Sequence, residues 1–158
     1  MDTYKLAIFF HVASVVALVA THSVSMFVLF RLRRERDRTK ILDLISLSGT
    51  TVLPMYVALG LVLLSGALAA FRFTAWGRWW LWLALVILAL TIGAMIAMAK
   101  PYFERIKEAC AVRPSGVPRV ADEELAEILR APASAAIAAI GLVGFFLVLA
   151  LMVFKPGV

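Results

Sequence analysis

Four long apolar blocks divide the chain, and none of them contains an Asp, Glu, Lys or Arg. They run from Leu6 to Phe30, from Val52 to Phe71, from Trp79 to Ala99 and from Ala133 to Phe154. A helix needs about 20 predominantly apolar residues to cross the hydrocarbon layer, because each residue rises only ~1.5 Å. Inside the bilayer no water can satisfy backbone groups, so blocks of this length form helices. The pattern therefore predicts an all-α integral membrane four-helix bundle, with residues 1–158 in a single transmembrane domain.

Two of the predicted helices continue well beyond their apolar blocks. Apolar positions from Ile41 to Leu47 recur at helical spacing, so the second helix is predicted to start near Thr39. Pro54 removes one backbone hydrogen bond from it and is predicted to produce a kink. The third helix is predicted to run on to about Cys110, with a second kink at Pro101. The sequence thus predicts long, kinked helices that extend past the hydrocarbon layer.

One segment is predicted to be a loop, and a short helix is predicted to follow it. Residues 111–121 contain two prolines and a glycine, which are typical of a turn or loop. The next segment, DEELAEILRAP, is amphipathic, and Asp122 is placed to cap its first turn. Its apolar residues share one face: Leu125, Ile128 and Leu129. Pro132 is then predicted to kink or break the helix before the fourth span.

Lys and Arg residues are distributed unevenly between the two sides of the predicted bundle. Twelve of the sixteen lie in the two long connections: Arg31, Arg33, Arg34, Arg36, Arg38, Lys40, Lys100, Arg105, Lys107, Arg113, Arg119 and Arg130. Short connections rich in Lys and Arg remain in the cytoplasm. Both termini are therefore predicted outside, and both long connections in the cytoplasm, of a bacterial inner membrane. The formal net charge of +6 then fits anionic lipid head groups beside these connections rather than nucleic acid.

The fourth block begins with small residues, which let helix backbones approach closely within lipid. They are Ala133, Ser134, Ala135, Ala136, Ala138, Ala139, Gly141 and Gly144. Such a face predicts either a tight four-helix bundle or a surface for forming a homo- or hetero-oligomer.

Four tryptophans cluster where the third block begins and predict an aromatic belt at the outer face of the membrane. They are Trp76, Trp79, Trp80 and Trp82, with Phe71 and Phe73 nearby. Stacking on a cofactor is the alternative interpretation. The single cysteine, Cys110, is predicted on the cytoplasmic side and has no second cysteine with which to form a disulfide.

His11 and His22 are the only side chains in the four blocks that titrate near neutrality. They are eleven residues apart on one predicted helix, which is three turns with about 20° of residual rotation, so they point to nearly the same face. An ionisable group inside a membrane is costly and therefore a functional candidate. Two interpretations stay open: a neutral imidazole that hydrogen-bonds to a neighbouring helix, and a ligand of haem b or copper.

The number of ligands limits the second interpretation, because both histidines lie on the same helix. A second haem or copper ligand would have to be a methionine or come from another subunit. Candidate methionines within the first three blocks are Met26, Met55, Met95 and Met98. Methionine in an apolar span more often packs than ligates. The four blocks also hold no carboxylate, which is the usual group of a proton relay or cation-coupled transporter.

Three stretches resemble a bacterial family of uncharacterised predicted integral membrane proteins. They are FFHVASVVALVATHSVSMFVLFRLRRERD, LDLISLSGTTVLPMYVALGLVLLSGALAAF and WGRWWLWLALVILALTIGAMIAMAKPYFERI, and the resemblance covers roughly residues 4–107. That family is distantly similar to the membrane domain of copper-resistance protein D and to the four-helix protoporphyrinogen oxidase. The oxidase resemblance implies a histidine early in the first helix, which His11 matches, and a lysine early in the third. Here Arg78 stands in that region, and arginine does not replace a lysine that must lose its proton.

Three functional hypotheses follow from the sequence. The first is a structural or accessory membrane subunit without an enzymatic activity of its own. The second is a membrane protein that binds haem b or copper through His11, with His22 as a second candidate ligand. The third, implied by the resemblance, is a membrane enzyme of the protoporphyrinogen oxidase type.

The predicted orientation can be tested with single cysteines in a Cys110→Ala chain. Because the basic connections are held in the cytoplasm, we expect a cysteine at position 33 to be protected from a membrane-impermeant maleimide in intact cells. A cysteine at position 155 should be labelled. Labelling of both positions from the same side would contradict the predicted orientation.

Overall fold

The computed structural model describes residues 3–72 and 75–157, with the Arg72 side chain left aside, and within them the chain is almost entirely helical. The helices are α1 (Thr3–Leu32), α2 (Arg38–Thr50), α3 (Val52–Arg72), α4 (Trp79–Cys110), α5 (Asp122–Arg130) and α6 (Ala133–Phe154), with a 3-10 turn at Ala75–Gly77. Four helical stretches of these residues are long and apolar enough to cross a membrane. The predicted class, an all-α protein with four membrane-spanning helices, is confirmed at this level.

The four long helices associate as two antiparallel pairs. Helix α1 packs along α3, and α4 packs along α6, and these are the two most extensive helix contacts. The pairs meet through smaller contacts of α1 with α6 and of α2 with α4. The start of α1 and the end of α6 therefore lie at one end of the molecule, and the connections that contain α2 and α5 lie at the other.

Much of the surface along the spans is apolar. Leu53 is 72% exposed, Leu90 68% and Phe154 80%, although each belongs to a long apolar helix. In water such side chains would drive collapse, but in a bilayer lipid tails solvate them as well as another leucine would. The exposed apolar surface therefore indicates the region that contacts lipid.

A seam of small residues joins α4 and α6. Ser134, Ala138, Gly141 and Gly144 of α6 are all buried. A Cβ added to Gly144 would lie 2.6 Å from Cγ2 and 2.9 Å from Cβ of Thr91 on α4, closer than real atoms approach. Only glycine therefore permits the observed separation of these two helices at this level, as the small-residue pattern predicted for the bundle interior.

The junction of α2 and α3 lies just before Pro54. The stretch Arg38–Phe71 is one candidate span of 34 residues, interrupted only at Thr51 between the two helices. Pro54 has no N–H to donate to the carbonyl of Thr50, four residues earlier. The Thr51 hydroxyl donates to the Ser48 carbonyl at 2.8 Å, which satisfies one of the carbonyls at this junction. Helix α4, in contrast, continues through Pro101 to Cys110, where the sequence predicted its end.

The end that contains α2 and α5 has the larger hydrophobic core. It brings together residues from α1, α2, α4, α5 and α6: Val28, Leu29, Leu32, Ile41, Ile45, Tyr102, Ile106, Ala109, Cys110, Leu125, Ile128, Leu129 and Ile137. The three apolar residues predicted to share a face of α5 are all part of this core. Within it, the Tyr102 hydroxyl donates to the Leu129 carbonyl at 3.1 Å, so its polar atom is satisfied although the residue is buried.

Arg38, the first residue of α2, forms hydrogen bonds to the end of α4, to the loop before α5 and to the start of α5. Its guanidinium donates to the Ala109 carbonyl at 2.8 Å, to the Val120 carbonyl at 2.8 Å and to the Asp122 carboxylate at 2.7 Å. The prediction that Asp122 caps α5 is wrong: Ala121 holds the N-cap position without a side-chain bond. The Asp122 carboxylate faces Arg38 instead, and a charge-assisted bond competes effectively with a capping bond.

Charged residues of both signs collect at the α2/α5 end. Besides the twelve cations of the two connections, nine of the ten acidic residues belong to this part of the chain: Glu35, Asp37, Asp43, Glu104, Glu108, Asp122, Glu123, Glu124 and Glu127. Asp37 caps α2 through bonds from the N–H groups of Thr39 and Lys40. The sequence analysis did not identify this cap, although a lone Asp before a helical stripe is its usual signal.

The opposite end is built around tryptophan. Trp80 is buried, whereas Trp79 and Trp82 are 57% and 53% exposed. The Trp82 indole donates to the Trp76 carbonyl at 2.9 Å, and the rings of Trp76 and Trp82 lie 5.7 Å apart. Phe73, which the sequence analysis placed in the same aromatic belt, lies outside the described residues. Exposed indoles at one end of a span fit the predicted belt.

Substituting Gly144 tests the α4–α6 seam. We expect Gly144→Ala to lower the free energy of unfolding by about 1–3 kcal/mol, because the new Cβ overlaps Thr91. Gly93→Ala is the matched control, since nothing lies within 4 Å of a Cβ there. Unfolding in detergent, followed by circular dichroism, measures both. Equal stability of the two variants would show that the seam is not closely packed.

Arg38→Gln tests the connection at the α2/α5 end. We expect a loss of about 2 kcal/mol, because two carbonyls and a carboxylate lose a charged donor. Hydrogen exchange of residues 109–122 should accelerate. Arg36→Gln, at an exposed position of the same connection, should leave exchange unchanged. Identical exchange in both variants would contradict the fastening role of Arg38.

Candidate functional site

His11 contacts the neighbouring helix α3. Its Nδ1 lies 3.0 Å from the Val62 carbonyl oxygen, which identifies Nδ1 as the protonated nitrogen that donates. A Cβ added to Gly66 would lie 3.0 Å from Cε1 of this imidazole, so the ring packs directly against the glycine. The Ser65 hydroxyl, 3.4 Å from Nδ1, donates to the Leu61 carbonyl at 2.5 Å. The first interpretation of His11, a hydrogen bond to another helix, matches this geometry.

His22 has different neighbours. Its Nε2 is buried and has no hydrogen-bond partner within the described residues. The atom faces α6, because a Cβ added to Gly141 would lie 3.2 Å from it. The same added Cβ would lie 3.1 Å from Sδ of Met95 on α4. The two histidines were predicted to point to nearly the same face of α1, yet one meets α3 and the other meets α6 and α4.

Most hydroxyl groups of α1 bond within their own helix. Ser14 donates to Phe10, Thr21 to Ala17 and Leu18, and Ser23 to Val19. Ser25 differs, since its hydroxyl lies 3.0 Å from that of Ser48 on α2. None of these bonds involves His22, so none of these hydroxyl groups is a hydrogen-bond partner of its imidazole.

No known protein family, curated protein or solved structure matches this chain. The resemblance to the copper-resistance and oxidase families stays a prediction based on the sequence. Arg78, which stands where that resemblance implies a lysine, donates to the Gly157 carbonyl at 3.1 Å.

Charged groups outside the spans do not form a compact metal site. Among residues 3–72 and 75–157, no group of three or more His, Cys, Asp or Glu side chains is placed to hold a metal ion.

The pKa of Glu35 is lowered, chiefly because the backbone N–H groups of Arg36 and Asp37 donate to its carboxylate. Its contribution to stability is therefore present above the unfolded-state pKa and is lost as the pH falls through the lowered folded-state pKa.

The two candidate site residues, His11 and His22, therefore have different surroundings. The Nδ1 of His11 is bonded, whereas the Nε2 of His22 is buried beside a thioether and has no bond. Sequence reasoning named Met95 as one of four candidate ligands but had no means to select it. Gly141 was expected only to allow close helix packing, and Gly66 was not singled out, although the two imidazoles lie against these glycines.

Proposed function

We propose that this protein is a multi-pass protein of the bacterial inner membrane that acts as a structural or accessory membrane subunit. The observation that carries the proposal is the contact of His11 with α3. An intramembrane imidazole is otherwise the group most expected to do chemistry. Here its N–H is bonded to the Val62 carbonyl and its ring lies against Gly66, so the group joins two helices.

The orientation in this proposal follows from charge and packing together. The Lys- and Arg-rich connections meet at the α2/α5 end, and this end is assigned to the cytoplasm. The tryptophan end, with both termini, is assigned to the outer face. Basic side chains beside the span ends then lie at the level of anionic lipid head groups, to which they are attracted.

The accessory role is supported by the surface that the bundle leaves uncovered. Helix α3 exposes Leu53, Leu64 and Leu68, each more than half, and α6 exposes Phe146 and Val143. Such faces are solvated by lipid in an isolated chain and are equally suited to pack against a spanning helix of a homo- or hetero-oligomer.

A second candidate function, binding of haem b or copper at His11, is favoured by the direction of its hydrogen bond. Metal-bound histidines usually donate their other ring N–H to a carbonyl, which leaves the second nitrogen free to ligate. Nδ1 of His11 makes such a bond to Val62. The fit is partial, because the residues described near His11 supply one imidazole, and a second axial ligand would come from a methionine or another subunit.

Purified protein with and without His11 separates the two functions. For the accessory role we expect no Soret band in wild type and no copper binding that depends on His11. His11→Ala should lower stability by about 1 kcal/mol, because an interhelical hydrogen bond is lost within the membrane. His11→Asn, which retains a donor, should recover part of the loss. Val12→Ala, at a position 54% exposed, is the control.

A Soret band in the wild type that disappears in folded His11→Ala would replace the accessory role with haem binding. Bound copper lost in the same variant would assign copper to His11.

A further inference from the structure

The unbonded nitrogen of His22 lies in the middle of the bundle. The residue stands at the twentieth position of the 30-residue helix α1, and its Nε2 is buried. A buried polar atom without a partner costs about 1–3 kcal/mol, and native structures rarely contain one without a reason. The described part of the chain offers this atom no hydrogen-bond partner, as it offers none to the buried indole nitrogens of Trp76 and Trp80. The imidazole differs from these indoles because its nitrogen can act as a metal ligand, whereas an indole N–H only donates.

The sulfur of Met95 shares the space in front of this nitrogen. A Cβ atom added to Gly141 would lie 3.2 Å from His22 Nε2 and 3.1 Å from Met95 Sδ, so both atoms face the same point. Three helices meet there: α1 supplies the nitrogen, α4 the sulfur, and α6 only a backbone without a side chain. Because this point is already within 3.2 Å of both atoms, the glycine lets the nitrogen and the sulfur lie close to one another's surroundings, and a side chain there would crowd them.

We propose that His22 and Met95 form a binding site for Cu(I). Imidazole nitrogen and thioether sulfur are ligands that select this soft monovalent ion. Mg²⁺, Ca²⁺ and Mn²⁺ prefer oxygen ligands such as carboxylates, and none of the four apolar blocks contains a carboxylate. A monovalent ion also carries the smaller electrostatic cost in a low-dielectric interior.

Two further methionines follow the pair along the same helices. Met26 is one turn after His22 on α1, and Met98 is three residues after Met95 on α4. Residues at these spacings are neighbours on a helix surface. Met95 and Met98 both pack against the larger hydrophobic core. By their spacing, these methionines lie one turn from the proposed ligands, on the side toward the α2/α5 end.

The ligands of this site are all neutral, so a bound Cu(I) keeps its charge within the membrane. Uncompensated charge at this depth is costly, which gives the site lower affinity than a thiolate site and favours release. The proposal is independent of the accessory role. It also differs from the second candidate function, since it assigns the metal to His22 and Met95 and leaves His11 bonded to α3.

Competition for Cu(I) tests the site in the full chain. The protein is purified in detergent and titrated without oxygen, under ascorbate, into the coloured Cu(I)–bicinchoninate complex. We expect wild type to remove one equivalent of Cu(I) per chain. His22→Ala and Met95→Leu should each weaken binding about 10-fold or more, the scale of losses that even indirect disturbance of a metal site produces. Met152→Leu is the matched control, since Met152 packs at the tryptophan end.

Gly141→Ala provides a test that keeps both ligands. Its new Cβ would enter the space between them, so binding should weaken, whereas Gly93→Ala should bind as wild type does. Circular dichroism and size-exclusion profiles establish that each variant is folded. Copper X-ray absorption of wild type should show a sulfur ligand that is reduced in Met95→Leu.

Failure of folded wild type to compete for Cu(I) would overturn the proposal, as would unchanged binding in both His22→Ala and Met95→Leu. Loss of binding in His11→Ala with full binding in His22→Ala would also overturn it, in favour of the second candidate function. Only the last of these results bears on the accessory role. The other two leave it unchanged, because it is tested by the stability of the His11 variants.

Discussion

The structure depends on the requirement that backbone and side-chain polar groups be satisfied inside a solvent that offers no hydrogen bonds. Four uncharged helices meet it for the backbone, and the side chains meet it by local bonding. Ser14, Thr21 and Ser23 donate to carbonyls of their own helix, whereas His11 donates to the Val62 carbonyl of α3. Because apolar association contributes little between helices in lipid, such bonds and glycine contacts determine which helices pair.

The α2/α5 end is stabilised differently. It extends beyond the apolar spans, where burying apolar side chains away from water again stabilises the fold. Its core contains residues from five helices, and Arg38 links the start of α2 to the end of α4 and the start of α5. The proline-containing loop is thereby held at both ends. This part of the molecule resembles a small soluble domain, in which burial and charged hydrogen bonds act together.

The sequence predicted the elements of this fold better than their contacts. The four spans, the end of α4 at Cys110 and the apolar face of α5 all follow from local periodicity. The placement of His22 beside Met95 does not, because lipid-facing and helix-facing positions are equally apolar and the pattern cannot specify which helices pair. The role of Arg38 was equally inaccessible, since its partners are 71 and 82 residues away in the chain. The prediction that Asp122 caps α5 was wrong for the same reason, because its carboxylate accepts a bond from Arg38, which is 84 residues away in the chain.

The interleaving of cations and anions at the α2/α5 end has a consequence for long-range attraction. Nine acidic residues offset twelve basic ones here, and three ion pairs form among them: Arg31–Glu35, Arg38–Asp122 and Lys40–Asp37. The surplus of positive charge is therefore small, and it is screened beyond the Debye length, which is about 8 Å at physiological ionic strength. A soluble protein approaching this end would therefore experience little steering until it is almost in contact. Recognition at this end would depend on the local arrangement of charge rather than on its total, and salt would affect the lifetime of a complex more than its rate of formation.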